Sequence, residues 1–595
     1  MRNQLTDQIM RGFRVQGVLF DFDDTLTRPG ALDFAHIRRE VGCPLHKPIL
    51  EFIAELPSEQ ERQRATRRLA ELELEAAGRA QPDPAAQPVI AWLRARGLPL
   101  GILTRNGRRA VERALENFTG VSVADFEVIV SRDDDVRHKP DPDGVHLAAR
   151  RMDVRPEELL MVGDFVFDIL AGEAAGSVTV LLQQTGLLEA GYADAESRDA
   201  LVESGRLVGG TRLHDGALQP RPDMVIADLA ELPDVVRLGL PLPSGKFPGD
   251  LLALFLASLP PAPANVVMGP RVGRDVAALD VAAAAAAAGG AERPLLAVGC
   301  DPITFTTDEL GRWAEIVNAN DIVTCGAMPR WFFATTLFPA GSSASQVLAA
   351  LNGLRDACAE HGIAICGGHT EVTDAVCRPV ISGTMIGVAP SGRLVDMRKT
   401  RPGDALLLTK RVAVEGTALL AFELGDDLRR LGMTDDELAA CRDLRDLLSI
   451  FTEATIAAGL PAVSGMHDVT EGGLATALLE LAEADGHALE VDADAIPLYP
   501  QTQRLCELLK VDPLGLIGSG SLLITCAEDG AESLLSTLGA AGVEATRIGR
   551  VLEPLAAGAA AGGGQTVRAH RGGAAVPWPS FDVDEIARVL SQRRG

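Results

Sequence analysis

The stretch Val18-Leu19-Phe20-Asp21-Phe22-Asp23-Asp24-Thr25-Leu26-Thr27 decides how the chain is read. An apolar run that stops abruptly at acids reads as a buried strand ending in a loop. Asp21 and Asp23 stand two apart, with a hydroxyl at Thr25. At the carboxyl end of a parallel strand such a cluster sits where open α/β sheets hold their ligands. One carboxylate can serve as nucleophile and the other as acid and base, with a metal ion relieving their repulsion.

The bulk numbers bound the rest. A chain of 595 residues is too long for one core, so about two to four domains are expected. The formal charge of −26 and the aromatic content of 4% argue against a nucleic-acid partner, because there is neither a basic excess for phosphates nor a supply of stacking rings. The nine cysteines are scattered singly, with no CxxC pair, which fits reduced thiols and a cytoplasmic protein rather than a zinc or disulfide framework. Met1–Phe13 is polar, and the apolar run Leu251–Leu259 is cut short by Pro260 and Pro261, so neither a signal peptide nor a membrane partner is expected.

Outward from Thr27, Arg28-Pro29-Gly30 is a turn, and residues 31–85 read as helices, with helical spacing clearest in Glu59–Ala77. Pro88–Arg96 reads as a helix and Leu98–Leu103 as a buried strand ending in Thr104-Arg105-Asn106-Gly107. A hydroxyl there can hold a phosphate oxygen together with adjacent N–H groups, or simply cap the next helix. Phe126–Ser131 reads as a strand, followed by Arg137-His138-Lys139-Pro140-Asp141-Pro142. A fixed ammonium at Lys139 can neutralise both a carboxylate nucleophile and a phosphoryl group. Leu159–Val162 is a short apolar strand ended by Gly163-Asp164-Phe165-Val166-Phe167-Asp168. Asp164 and Asp168 can converge on a cation with Asp21, since magnesium takes a few carboxylates plus waters and substrate oxygens.

These four stretches, in this order, resemble the motifs of the haloacid-dehalogenase (HAD) phosphatases over residues 14–238. The resemblance implies an α/β fold with a Rossmann-like parallel sheet and a small helical cap. It implies two-step transfer of a phosphoryl group from a small phosphorylated substrate. Asp21 would be the nucleophile and Asp23 the acid and base, with Thr104 and Lys139 on the phosphoryl oxygens. Mg2+ would lie on Asp21, Asp164 and the Asp23 carbonyl, with Asp168 in support.

The Pro- and Gly-rich segment 239–250 reads as a linker, giving an expected hydrolase domain at 1–238 with its cap at about 31–85. Beyond it lie a strand at Val266–Gly269, an alanine-glycine tract at Val281–Gly290 and a strand at Leu295–Val298 running into Gly299-Cys300-Asp301-Pro302. A helix carries Asn318, Asn320 and Asp321. Ser345–Glu360 reads as an amphipathic helix, and Ile363–Cys366 as a strand ending in Gly367-Gly368-His369-Thr370-Glu371. Asp275, Asp301 and Asp321 are each read at an element end, as turn acids or, together with Gly367-Gly368, as a magnesium–triphosphate site. No GxxxxGK[ST] is present, which excludes a P-loop. Asp436–Glu453 reads as one long helix, and Asp468 precedes the glycine turn Gly472-Gly473.

This set is similar to the AIR synthase (PurM-like) superfamily over residues 245–555, through Gly273-Arg274-Asp275, Asp301-Pro302, Asn320-Asp321, Gly367-Gly368 and Asp468. The resemblance implies a two-subdomain α+β module, at 251–395 and 396–575. It also implies ATP and Mg2+ binding by Asp275, Asp301, Asn320, Asp321, Gly367, Gly368 and Asp468, and a homodimer formed through this half. Arg274 and His369 stand where relatives often carry acids. The dehydratase branch uses a C-terminal cysteine, and none follows Cys526 here, so carbamoyl dehydration is not expected. The leading expectation is a bifunctional enzyme, a phosphatase followed by an ATP-dependent module. A phosphatase with a non-catalytic nucleotide-binding dimerisation module and a maturation scaffold remain as alternatives.

Overall fold

The computed structural model describes residues 8, 9, 11–44, 47–183, 222–271, 276–287, 294–306, 309–390, 394–555 and 566–591. Two compact units emerge, one from Met1–Ser258 with Ala340–Asn352, the other from Leu259–Pro339 with Gly353–Gly595.

The first unit is built on six strands: β1 (Gly17–Phe20), β2 (Leu100–Leu103), β3 (Val128–Val130), β4 (Leu159–Gly163), β5 (Val178–Leu182) and β6 (Met224–Ile226). All neighbours are parallel, in the order β3-β2-β1-β4-β5-β6. The strand order reverses between β1 and β4, which opens a crevice at their carboxyl ends. Every residue of β1, β2, β4 and β5 is buried, as expected for a parallel sheet covered on both faces. β5 has no counterpart in the sequence reading. Its uninterrupted Val-Thr-Val-Leu-Leu follows directly on Gly176 and Ser177, and a fully buried strand shows no alternation.

After β1 the chain forms a helical cap: α1 (Phe34–Val41), α2 (Ile49–Ala54) and α3 (Glu59–Ala77). α3 begins with a capping box between Ser58 and Glu61, which satisfies its first orphan N–H groups. Leu32, Ile37, Ile53, Ala65, Leu69 and Leu72 form a small apolar core of the cap's own.

The second unit holds two larger sheets beside a two-stranded antiparallel pair, Val266–Met268 with Ala278–Leu279. The strands β7 (Pro294–Ile303), β8 (Met328–Pro339), β9 (Ala364–Thr373) and β10 (Val380–Pro390) lie in the order β7-β10-β8-β9. The other sheet has β11 (Ala405–Thr409), β12 (Val463–Asp468), β13 (His487–Asp492), β14 (Leu522–Cys526), β15 (Ala545–Pro554), β16 (Val567–Arg571) and β17 (Ala574–Val576), in the order β12-β14-β11-β15-β13-β16-β17.

Four expectations change here. Asp301 lies inside β7, not past its end, because β7 is an edge strand, where the missing N–H of Pro302 is tolerated. Asp321 lies within the helix Leu310–Thr324. Gly367 and Gly368 are inside β9, paired with Phe333 and Ala334 of β8. A Cβ on Gly368 would fall 2.0 Å from the Ala334 carbonyl oxygen, so close strand approach accounts for that glycine. The expected helix Asp436–Glu453 is three pieces, Asp435–Arg442, Asp443–Leu447 and Phe451–Ala458. Carbonyls at the break are captured from outside: Lys410 Nζ donates to Leu447 O at 2.8 Å and Ser449 O at 2.7 Å, and Asn320 Nδ2 donates to Leu448 O at 2.9 Å.

Candidate functional site

In the first unit the strand tips deliver the acids. Asp21 follows β1 directly, and its N–H donates to Val162 O of β4 at 2.8 Å. Thr104 follows β2 and Asp164 follows β4. Asp168 lies in the first turn of α4 (Val166–Ala174), where its carboxylate accepts the Phe165 N–H at 3.0 Å. Gly163 permits this: a Cβ there would lie 2.4 Å from the Asp168 carboxyl carbon.

Lys139 is 4% exposed. Its ammonium donates to Asp21 Oδ1, to Asp168 Oδ1 at 2.6 Å and to Leu103 O at 2.8 Å. Burial disfavours the charged amine, but Asp168 and Asp21 outweigh it and raise its pKa. The Asp21 carboxyl is raised to about 7, by burial first and by the Asp168 charge, with Lys139 opposing. Asp23 is raised well above the ordinary carboxylate range by burial and by the charges of Asp21, Asp24 and Glu73. A carboxyl that burial and like charges make hold its proton more tightly can donate to a leaving oxygen.

Oxygens of Asp21, Asp164 and Asp168 lie within 4.8 Å of one another. Thr25 Oγ1 donates to Asp164 Oδ1 at 3.4 Å. An all-oxygen set of this size fits a magnesium ion. The structure thus brings Asp21, Asp164, Asp168 and Lys139 together. Thr104 is 4% exposed, and its hydroxyl accepts the Asn106 N–H at 3.1 Å.

Several contacts here were not anticipated. Asn106 Nδ2 donates to Asp23 Oδ2 at 2.7 Å. Arg105 donates to Lys139 O at 2.5 Å and to both oxygens of Glu51 in the cap, at 2.6 and 2.5 Å. Glu73 of the cap pairs with Arg132 at 2.5 Å and accepts the Gly107 N–H at 3.3 Å. The only sequence signal was that Arg105, Asn106 and Gly107 follow Thr104 directly; Glu51 and Glu73 look like any charges on a helix face. Between cap and core lies a cleft of about 820 Å³, lined in part by Glu51, Arg62, Thr66, Arg67, Arg132 and His138.

In the second unit Asp301, Asp321 and Asp468 are gathered close enough to perturb one another. Asp321 is raised to about 8 by burial and by the charges of Asp468 and Asp301. Asp468 is raised chiefly by burial, and its Oδ2 is buried without a hydrogen-bond partner. Asn318 holds Asp301 by the backbone, accepting its N–H at 3.0 Å and donating to its carbonyl at 3.2 Å. Among the described residues these three acids do not bring their oxygens within 4.8 Å of one another as Asp21, Asp164 and Asp168 do, so what the structure shows here is mutual repulsion and burial rather than an assembled ligand set. Asp468 ends β12, and the glycines after it are required. Gly472 and Gly473 have φ of +79° and +63°, and a Cβ on Gly473 would lie 2.5 Å from Leu514 O. Glu415 is raised to about 7, mainly by burial. Ser519 N–H donates to it at 3.2 Å.

Asn320 turns elsewhere. Its amide is spent on Leu448 O and on the Ile450 N–H, accepted at 3.1 Å. His369 pairs with Glu371 at 2.8 Å, so an acid does stand near the position where the sequence lacks one. Asp275 and Arg274 lie outside the described residues.

Comparisons with known proteins follow the same division. The family model of haloacid dehalogenase-like hydrolases matches residues 15–176. Those of the AIR synthase related protein match residues 293–389 for the N-terminal domain and 401–556 for the C-terminal domain. Carbamoyl dehydratase HypE of Cupriavidus necator is 32% identical over 263 residues, covering 42% of this chain and 70% of that protein. An uncharacterized hydrolase of Saccharomyces cerevisiae is 34% identical over 170 residues, covering 28% of this chain and 78% of its own length. The crystal structure of E. coli HypE superposes with a TM-score of 0.47 at 24% identity, covering 57% of this chain and 98% of that one. The chain belongs to the HypE family of AIR synthase-related proteins and carries a haloacid dehalogenase-like hydrolase domain ahead of that module. Among the described residues no helix is long and apolar enough to cross a membrane.

Proposed function

We propose that the first unit is a magnesium-dependent phosphate-monoester hydrolase. The observation that carries this is Lys139, buried and bonded at once to Asp21 and Asp168 at the strand tips. In the first step Asp21 attacks phosphorus and the ester oxygen leaves with a proton from Asp23. In the second, Asp23 takes a proton from water, which attacks phosphorus, and the bond to Asp21 breaks to release inorganic phosphate. Lys139 and the Thr104 hydroxyl hold the phosphoryl oxygens through both steps. Magnesium, held by Asp21, Asp164 and the Asp23 carbonyl with Asp168 in support, would supply further neutralisation of the phosphoryl charge. Hydrolysis of p-nitrophenyl phosphate should require magnesium and vanish in Asp21→Asn; hydrolysis that survives in that variant ends the reading.

For the second unit we propose ATP–magnesium binding and ATP-driven activation of an oxygen on a small molecule, with Asp301, Asp321 and Asp468 toward the metal. Support comes from the AIR synthase-related family and from the buried, unpartnered Asp468 oxygen. ATP with magnesium should raise a melting transition of the full chain, and Asp468→Asn should remove that rise. A homodimer through this unit is proposed from β7, an edge strand whose Leu295, Leu296 and Val298 are 40%, 49% and 62% exposed. Such an edge invites pairing with a second copy. Leu296→Lys combined with Val298→Lys should shift the chain to monomer in light scattering.

A further inference from the structure

Three consecutive residues after β2 carry contacts in three directions. Arg105 joins cap residue Glu51 to the backbone carbonyl of Lys139. Asn106 donates its side-chain amide to Asp23 Oδ2 at 2.7 Å. The Gly107 N–H donates to cap residue Glu73, itself paired with Arg132 at 2.5 Å and 4% exposed. The loop is therefore gripped from the cap on both sides of Asn106, and Asn106 is the residue that grips Asp23. Glu51 and Glu73 come from different cap helices, α2 and α3. A cap lifted off the core would surrender both grips together.

We propose that Arg105-Asn106-Gly107 is the linkage through which the seated cap sets the orientation of Asp23, with Asn106 as positioning residue and Glu51 and Glu73 as the cap's contacts. This rests on the phosphatase reading for its consequence in catalysis. Asp23 delivers a proton to the departing ester oxygen only when its carboxyl is aimed at it. With the cap unseated, the loop and Asn106 lose their hold and Asp23 swings free. Proton donation is thereby confined to the state in which the cap covers the substrate.

The consequence separates from a general structural role by the leaving group. A nitrophenolate leaves readily without a proton, whereas a phenolate of higher pKa needs one. In Asn106→Ala, kcat for phenyl phosphate should fall on the order of tenfold further than kcat for p-nitrophenyl phosphate, with KM for both little changed. Glu51→Ala, which removes a cap grip without removing a charge that acts on Asp23, should show the same bias to a smaller degree. Equal losses for the two esters would overturn the proposal. A second measurement needs no turnover. Amide hydrogen exchange of the full-length chain should quicken together at 105–107 and at 22–26 in Glu51→Ala and in Glu73→Gln. Quickening confined to 105–107, or none, would overturn the linkage. Should wild type hydrolyse neither ester, the phosphatase reading falls and the exchange result alone decides whether the cap is tied to Asp23.

Discussion

Among the described residues each unit buries one lysine, and the two meet different surroundings. Lys139 meets two carboxylates and one carbonyl. Lys410 meets three carbonyls, those of Leu447, Ser449 and Gly520, and pairs with Glu453 at 2.8 Å. Burial disfavours the charged amine at both, but the outcomes differ in sign: the neighbouring acids raise Lys139, whereas burial lowers Lys410 despite Glu453. Lys139 is held chiefly by the ionisable groups of the proposed phosphatase site. An ammonium whose donors are filled by backbone oxygens is a structural pin. The environment, not the residue type, separates the proposed catalytic cation from a structural one.

The comparison can be broken most directly at Lys139. Lys139→Met should cut aryl phosphate hydrolysis by about 10³-fold or more, since an oriented charge at the reacting phosphoryl group is lost. Binding of ATP by the second unit should be unchanged. Lys410→Met should do the reverse. Hydrolysis should persist, while the upper or lower melting transition that belongs to the second unit falls by about 3 kcal/mol, because Glu453 and three carbonyls are left buried without their donor. Guanidinium unfolding followed alongside hydrolysis checks both. If Lys410→Met spares stability and Lys139→Met spares activity, the two environments do not mean what their contacts imply.

How far the sequence revealed this follows from where each decisive contact originates. Asp21, Thr104 and Asp164 directly follow strand tips and Lys139 lies in the loop after the β3 strand, so the motif and its geometry are written in the same few residues. The cap helix Glu59–Ala77 was legible from its spacing alone. The second unit hid more. β8 opens with Met-Pro-Arg, which reads as a breaker, yet it is central in its sheet. The break near Leu448 was invisible because its cause, the reach of Lys410 and Asn320, lies far away along the chain. Asn320 looked like a ligand residue and proved to spend its amide on that break. Glu51 and Glu73 could not be told from solvated helix charges until their partners Arg105 and Arg132 were seen across the cap.

The smallest expected effect sharpens the contrast, because it concerns an acid that, among the described residues, forms no ion pair with a lysine or arginine. Asp485 is the last residue of the helix Gly473–Asp485, where the carbonyl end of the helix disfavours negative charge. Its pKa is raised to about 6, by burial first, with Thr400 and His487 opposing the rise. A folded-state pKa above the unfolded value of about 4 means the folded chain holds the proton more tightly. The stability this contributes is complete below about pH 4 and is lost as pH rises through about 6. Asp485→Asn should therefore leave stability unchanged at pH 4 and raise that of the second unit by about 1 kcal/mol at pH 8, the full linkage value being reduced by solvent screening of a group only partly withdrawn from water. Denaturant titrations at the two pH values check the sign. A variant that is stabilised equally at both would place the effect in packing rather than in the ionised carboxylate, and Asp485 would then no longer stand as the uncompensated counterpart of Asp21.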